Sequence, residues 1–250
     1  MLPNNSNRSD SIKGYRGPDR VFDGKHYSRT RLSDNNEVGA DESLLRITNG
    51  VAIKGDRRIL IKPIIKTTVQ KLDLECVRPQ RAGIIIYTVK DGVVYLGWGL
   101  DSRSHDLTDF GGRVEYETDL NAVQGALREF NEETLQIFNL ITIKDIERCP
   151  VIYDNNNMII FIHMMIDPDE VDMSFSRKYT EIVTENQKIR SEMKNNGTSN
   201  RDIRRVLDPE VCGTTWLTWE EFQSSILEKG VIFSRVQRFL NRAGDFSYLL

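Results

Sequence analysis

Histidine and cysteine are scarce in this chain: 250 residues contain three of each, the cysteines being Cys76, Cys149 and Cys212. No C-x-x-C pair and no clustered Cys/His spacing occurs, which excludes a zinc finger or ribbon. Three widely separated cysteines make no disulfide framework, and they read as reduced thiols of a cytosolic or nuclear protein. A surplus of charge is missing too: 34 Lys and Arg face 37 Asp and Glu, for a net charge of -3 and a pI near 5.8. With no global positive field to hold nucleic acid, any such contact must be a local patch. Long apolar runs are absent. A stretch such as Met158 to Ile162 is far short of the roughly 20 residues that span a bilayer, and no apolar signal-like core opens the chain. No membrane partner is therefore expected. Nothing in the sequence speaks to oligomeric state.

What is present is ordinary for a globule: 39% hydrophobic and 28% charged residues. This length corresponds to one or two domains and buries roughly 70 to 75% of its surface. Residues 1–44, with seven basic and seven acidic side chains and no apolar period, read as a mobile arm. Ile47 to Ile53 and Arg58 to Ile65, around Gly55-Asp56, suggest a pair of short strands. The core begins at Ala82. Gly83 to Val89 and Val93 to Trp98 flank Lys90-Asp91-Gly92, and Asp-Gly tolerates positive φ, so a hairpin is predicted. A second should join Val151–Tyr153 to Met158–Ile166. Thr214 to Leu217 reads as a strand, and Thr218 with Glu221 has capping-box spacing, starting a helix at Trp219. Residues 177–206 are partly helical, interrupted at Asn195-Asn196-Gly197, and carry eight Arg or Lys against four Asp or Glu.

Between the hairpins one helix is expected, from about Asp119 to Gln136. At 100° per residue from Glu129, Glu132 falls near -60° and Glu133 near +40°, so these carboxylates share a face. Val123, Leu127, Phe130 and Thr134 form the stripe that packs on the sheet. Ala122 and Ala126, beside Glu129, should leave the space before the carboxylates open. Like charges this close repel, and Arg128, the i,i+4 neighbour of Glu132, is one cation against three anions. A hard divalent ion, Mg²⁺ or Mn²⁺, suits oxygen ligands of this kind. A solvated glutamate-rich surface accounts for the same pattern, and a tight turn accounts for the glycine pair upstream, Gly111-Gly112 in Asp109-Phe110-Gly111-Gly112-Arg113-Val114-Glu115.

Together, Gly111 to Glu117 and Ala126-Leu127-Arg128-Glu129-Phe130-Asn131-Glu132-Glu133-Thr134 resemble the box of the Nudix hydrolase family, G-x5-E-x7-R-E-U-x-E-E-x-G-U, with U a bulky apolar residue. R-E-U-x-E-E matches. Gly111-x5-Glu117 fits, but ten residues rather than seven separate Glu117 from Arg128; counted from Gly112, the arginine is two residues late and Thr118 takes the glutamate's place. Leu135 and Gln136 stand where the family has Gly-U, so the helix should continue slightly or end in another cap.

The resemblance implies an α/β/α sandwich with a mixed, curled sheet over residues 81–250, including the basic insert at 177–206, behind an extension at 45–80. It implies metal-dependent attack of water on the pyrophosphate of a nucleoside diphosphate linked to another moiety. Glu129, Glu132 and Glu133 would hold the ions, Arg128 would orient the glutamates, and Gly111, Gly112 and Glu117 would form the box loop. The base is often a glutamate before the tryptophan-bearing strand. Glu210 occupies that place, with Glu181 and Glu185 as rivals. Trp98, Tyr116 and Tyr153 could stack on a base. The basic insert could guide RNA while the box cleaves a 5' cap. The Asp-Phe-Gly-Gly start is also similar to Nudix proteins of large DNA viruses, and the expected location is cytoplasmic, the host's if viral. Two classes stay open: the hydrolase, acting on a small nucleotide derivative or on capped RNA, and a catalytically silent Nudix-like nucleotide- or RNA-binding regulatory module.

Overall fold

The computed structural model describes residues 46–48, 51–54, 57–60, 63–138, 141–228 and 230–246, all in the compact unit Leu45–Leu250. The arm expected over 1–44 and the Gly55-Asp56 turn lie outside the described residues. β1 (Arg46–Thr48), β2 (Val51–Lys54) and β3 (Arg57–Leu60) form an antiparallel three-stranded sheet. The expected pair of strands is thus three, the first run being divided between Thr48 and Val51. Ile65 belongs elsewhere: it opens β4 (Ile65–Thr68), an edge of the main sheet.

β5 (Arg81–Lys90) and β6 (Val93–Asp101) form the first predicted hairpin. Its two turn residues, Asp91 at φ 54° and Gly92 at φ 78°, are both left-handed, as a type I′ turn requires. After β7 (Leu107–Thr108) and β8 (Phe110–Arg113) comes α1 (Ala122–Glu133). β9 (Pro150–Tyr153) and β10 (Asn157–His163) are the second hairpin. β10 stops at His163 rather than Ile166, because the Thr88 hydroxyl takes the Ile166 carbonyl as the chain turns toward α2 (Pro168–Asn195). α2 begins nine residues before the predicted basic segment, capped by Asp167, and ends where expected, with Gly197 at φ 70°. α3 (Asn200–Ile203), β11 (Val211–Thr218), α4 (Trp219–Leu227) and α5 (Ser234–Ala243) complete the order. The capping box on α4 is formed as read: the Thr218 hydroxyl accepts from the Glu221 N–H, and Glu221 Oε2 accepts from the Thr218 N–H at 2.8 Å.

The main sheet has eight strands in the order β11-β6-β5-β10-β9-β4, with β7 on β6 and β8 on β5. β5 and β10 run parallel and the other pairs antiparallel, so the sheet is mixed, as expected. The expected curl is not found. The sheet is open, and one side of β5 is divided between β8 at residues 81–84 and β6 at 86–90. Both faces are covered, which is why β5 and β10 read as continuous apolar runs. Ile84 and Ile86, with Met158, Ile160 and Ile162, meet Val123, Leu127 and Phe130 of α1 on one face. Ile85, Phe161 and Trp98 meet Phe222 of α4 and Phe239 and Leu240 of α5 on the other. The chain is therefore the α/β/α sandwich that the sequence implied. Trp98, offered above as a stacking surface, is fully buried against Phe222, and Tyr153 packs at the margin of the α1-side core. Among the described residues, no helix is long and apolar enough to cross a membrane.

Candidate active site

α1 starts three residues later than predicted. Asn121 caps it, its Oδ1 accepting the Gln124 N–H at 3.0 Å. Asn121→Ala should cost about 1 kcal/mol of stability, read as a fall in denaturant midpoint at unchanged slope. Asp119 is thereby left outside the helix, where it takes Arg128. The guanidinium donates from Nε to Asp119 Oδ1 and from Nη2 to Oδ2, both at 3.0 Å, and Nη2 also reaches the Arg113 carbonyl. Nη1 turns the other way, to Glu129 Oε1 at 2.9 Å and more distantly to Glu132 Oε2 at 3.4 Å. The bond from Arg128 holds the Asp119 carboxyl below its usual range. Arg128 is held above its own, by that same bond first and by Glu129.

Glu117 is exposed and makes no hydrogen bond or ion pair among the described residues. The carboxylate that the loop brings to Arg128 is Asp119, expected inside the helix. The available signal was a carboxylate nine residues before Arg128 and just outside an asparagine cap.

The glycine pair meets the carboxylates from the sheet side. The Gly111 N–H donates to Glu133 Oε2 at 2.6 Å, and a Cβ on Gly112 would lie 2.5 Å from Glu129 Cδ. The space at Glu129 is thus made by Gly112. Ala122 and Ala126, which were expected to make it, are buried in the core. Beneath the pair lies a fully buried Asp109, gripped by Arg81 through two bonds of 2.7 Å. Sequence reading missed this ion pair. Its trace was Gly83, opposite Gly111 in register, where a Cβ would fall 2.2 Å from Asp109 Oδ2.

Charge in the site is unbalanced toward the negative. Burial first, then the nearby Asp109 and Glu129 charges, push Glu133 up to about 9, against the pull of Arg81 and the Gly111 amide. Burial also raises Glu129, with Arg128 opposing it. Among the described residues no three acidic, His or Cys side chains converge as a ready-made metal cage. The donor chemistry nevertheless fits a hard divalent ion: Glu129, Glu132 and Glu133 offer only oxygens, and a cation would favour the ionised form of Glu133 that burial first, and the Asp109 and Glu129 charges after it, disfavour.

None of the three proposed bases makes a hydrogen bond or ion pair with this cluster among the described residues. Glu210 immediately precedes β11; its carbonyl accepts the Ser102 N–H at 2.7 Å, and its exposed carboxylate makes no hydrogen bond among the described residues. Glu181 and Glu185 lie on α2 with Lys178 at 3.6 Å and Lys188 at 3.9 Å.

No protein-family profile matches the chain, and no curated protein does. Solved structures similar to it include an Ap4A hydrolase of C. elegans, 16% identical with a TM-score of 0.34, over 66% of this chain and 95% of that one. A binary complex of a C. elegans Ap4A hydrolase is 16% identical with a TM-score of 0.32, over 65% and 92%. The NUDIX domain of Shewanella oneidensis NrtR complexed with ADP ribose is 10% identical with a TM-score of 0.35, over 69% and 92%.

Proposed function

We propose that this chain is a Nudix-type hydrolase, dependent on Mg²⁺ or Mn²⁺, that cleaves the pyrophosphate of a nucleoside diphosphate linked to another moiety. One observation carries the reading: although the box is lengthened, its loop and helix still close on each other, with Gly111 on Glu133, Gly112 against Glu129, and Arg128 clamped between Asp119 and Glu129. A solvated helix face would need none of these contacts.

In this reading Glu129, Glu132 and Glu133 hold the metal. Bound there, it would neutralise phosphate oxygens and make water a better nucleophile. Arg128 fixes Glu129 and leaves substrate alone, since Asp119, the Arg113 carbonyl and two glutamates already use its donors. Glu210, whose carboxylate is free of hydrogen-bond partners among the described residues, is the base that takes the water's proton. Glu210→Gln should lower kcat about a hundredfold with KM little changed.

A recess of about 440 Å³ opens beside the lengthened loop, lined by Leu74, Glu75, Arg78, Tyr116, Leu120 and Asn121. Arg78 lies over the Tyr116 ring, 4.4 Å from its centroid. This flat cationic surface supports binding of a base and its phosphate. Arg78→Ala should raise KM about tenfold while kcat stays within about twofold, the loss expected of one stacking cation.

Capped RNA is the second reading. Four of the eight basic residues in the insert, Arg177, Lys194, Arg201 and Arg204, make no ion pair among the described residues, whereas Lys178, Lys188, Arg190 and Arg205 each have a carboxylate. A screen of ADP-ribose, dinucleoside polyphosphates, nucleoside triphosphates and 5'-capped RNA with either metal, run beside Glu133→Gln, tests both readings. Turnover lost in the variant establishes the hydrolase, and steep salt sensitivity selects RNA. No turnover, with wild type and variant binding ligands alike, leaves the silent binding module.

A further inference from the structure

We propose that Arg81 and Asp109 are positioning residues that set where the Gly111 amide holds Glu133; this rests on the hydrolase reading above. The pair is almost without solvent: the Arg81 side chain is 9% exposed and that of Asp109 0%. Arg81 spends its fork on Asp109, Nη1 to Oδ2 and Nη2 to Oδ1 at 2.7 Å each, and Nη2 makes a third bond to the Gly111 carbonyl at 2.6 Å. Gly111 is therefore held at both ends. Arg81 fixes its carbonyl and Glu133 takes its N–H, so a shift of the guanidinium is transmitted through one residue to the carboxylate.

The surroundings leave this arrangement no slack. Gly111 pairs with Gly83 across β5 and β8, a Cβ on Gly111 would lie 2.2 Å from Gly83 Cα, and a Cβ on Gly83 would strike Asp109 Oδ2. Gly83 gives up a side chain to admit the buried carboxylate, and Gly111 gives up one to let the two strands approach. Stability alone does not explain that. Replacing a buried ion pair by apolar groups of similar volume is often neutral or stabilising, so burial of the pair is weak evidence of a stabilising role, and its bonds to neighbours carry the proposal. Among the described residues, the guanidinium of Arg81 donates besides Asp109 only to the carbonyl of Gly111, the residue whose N–H meets Glu133. The unit thus acts on a proposed metal ligand from the sheet side, as Asp119 and Arg128 act on Glu129 from the loop side.

The test uses the full chain, wild type and Arg81→Met/Asp109→Leu, which exchanges the pair for apolar groups without stranding either charge. Thermal midpoint, the Gly111 amide proton shift in metal-free protein, kcat and KM, and the Mn²⁺ concentration for half-maximal activity are read. The midpoint should stay within about 5 °C. The Gly111 amide should move upfield as its bond to Glu133 lengthens, kcat should fall about 10- to 100-fold with KM within about threefold, and the Mn²⁺ requirement should rise about tenfold. A folded double variant with wild-type Gly111 shift and kcat overturns the proposal. If the double variant does not fold, Arg81→Lys decides: it keeps the charge and loses the fork, so it should show the same shift and fall, and wild-type values in it overturn the proposal. Turnover by neither wild type nor variants, with the wild type folded, instead overturns the hydrolase reading and this proposal with it.

Discussion

Glu133→Gln is expected to lose at least about a hundredfold in hydrolysis while making the metal-free protein more stable at pH 8. Loss of partners one shell out from a metal commonly costs 10- to 100-fold, and removing a ligand's charge should cost no less. The gain in stability follows from Glu133's pKa of about 9 against an ordinary 4.5. Below pH 4.5 both folded and unfolded chains carry the proton and the site costs nothing. Between about 4.5 and 9 the unfolded chain releases it while the folded chain retains it, so stability falls as pH rises. Glutamine keeps an acceptor for the Gly111 amide and removes this titration. In EDTA the wild-type melting midpoint should therefore decline across that window, and the variant's should be flatter and higher by about 2 to 8 °C at pH 8, the equivalent of about 1 to 2 kcal/mol. Identical pH profiles would show that Glu133 is not held protonated by its surroundings. Because a metal ligand must be ionised, Mn²⁺ affinity should rise through the same window.

The parts of this fold that were legible in sequence are those decided by local rules. Asp91-Gly92 dictated a hairpin because only left-handed backbone closes a two-residue loop, and Thr218 with Glu221 dictated a helix start because each satisfies the other's amide. The carboxylate face of α1 and its buried stripe followed from period alone. What failed was set by contacts distant in sequence. The helix start slid from Asp119 to Ala122 because Asp119 does more for Arg128, nine residues on, than it could as a cap. β4 was read with the strands before it because nothing local says that Ile65 pairs with Tyr153. Arg81 and Asp109 were invisible for the same reason: 28 residues separate them, and each alone looks like a surface charge. The left-handed Leu135 and Gln136, at φ 55° and 57°, take the turn that the family's box gives to glycine. They end the helix in another cap at a cost of about 1 to 2 kcal/mol each, which packing of the buried Leu135 helps to offset.

The two glycines of the box should fail differently when each is given a methyl group. In Gly111→Ala the new Cβ would lie 2.2 Å from Gly83 Cα and 2.6 Å from the Ala82 carbonyl oxygen. Both belong to β5, whose ladder to β8 fixes them, so relief requires separating β8 from the central strand β5. A loss of about 3 kcal/mol is expected, lowering the midpoint by about 6 to 12 °C with or without metal. In Gly112→Ala the methyl would meet the Glu129 carboxylate, the end of a side chain that can swing aside. Stability should fall by less than about 1 kcal/mol, but Glu129 would leave Arg128 Nη1 and the position in which it serves the metal, so hydrolysis should drop tenfold or more. The contrast separates a methyl group that meets fixed backbone from one that meets a movable side chain. If Gly112→Ala keeps full activity, Glu129 does not act from where the structure puts it; if Gly111→Ala melts with the wild type, the close approach of β5 and β8 is not what fixes the loop.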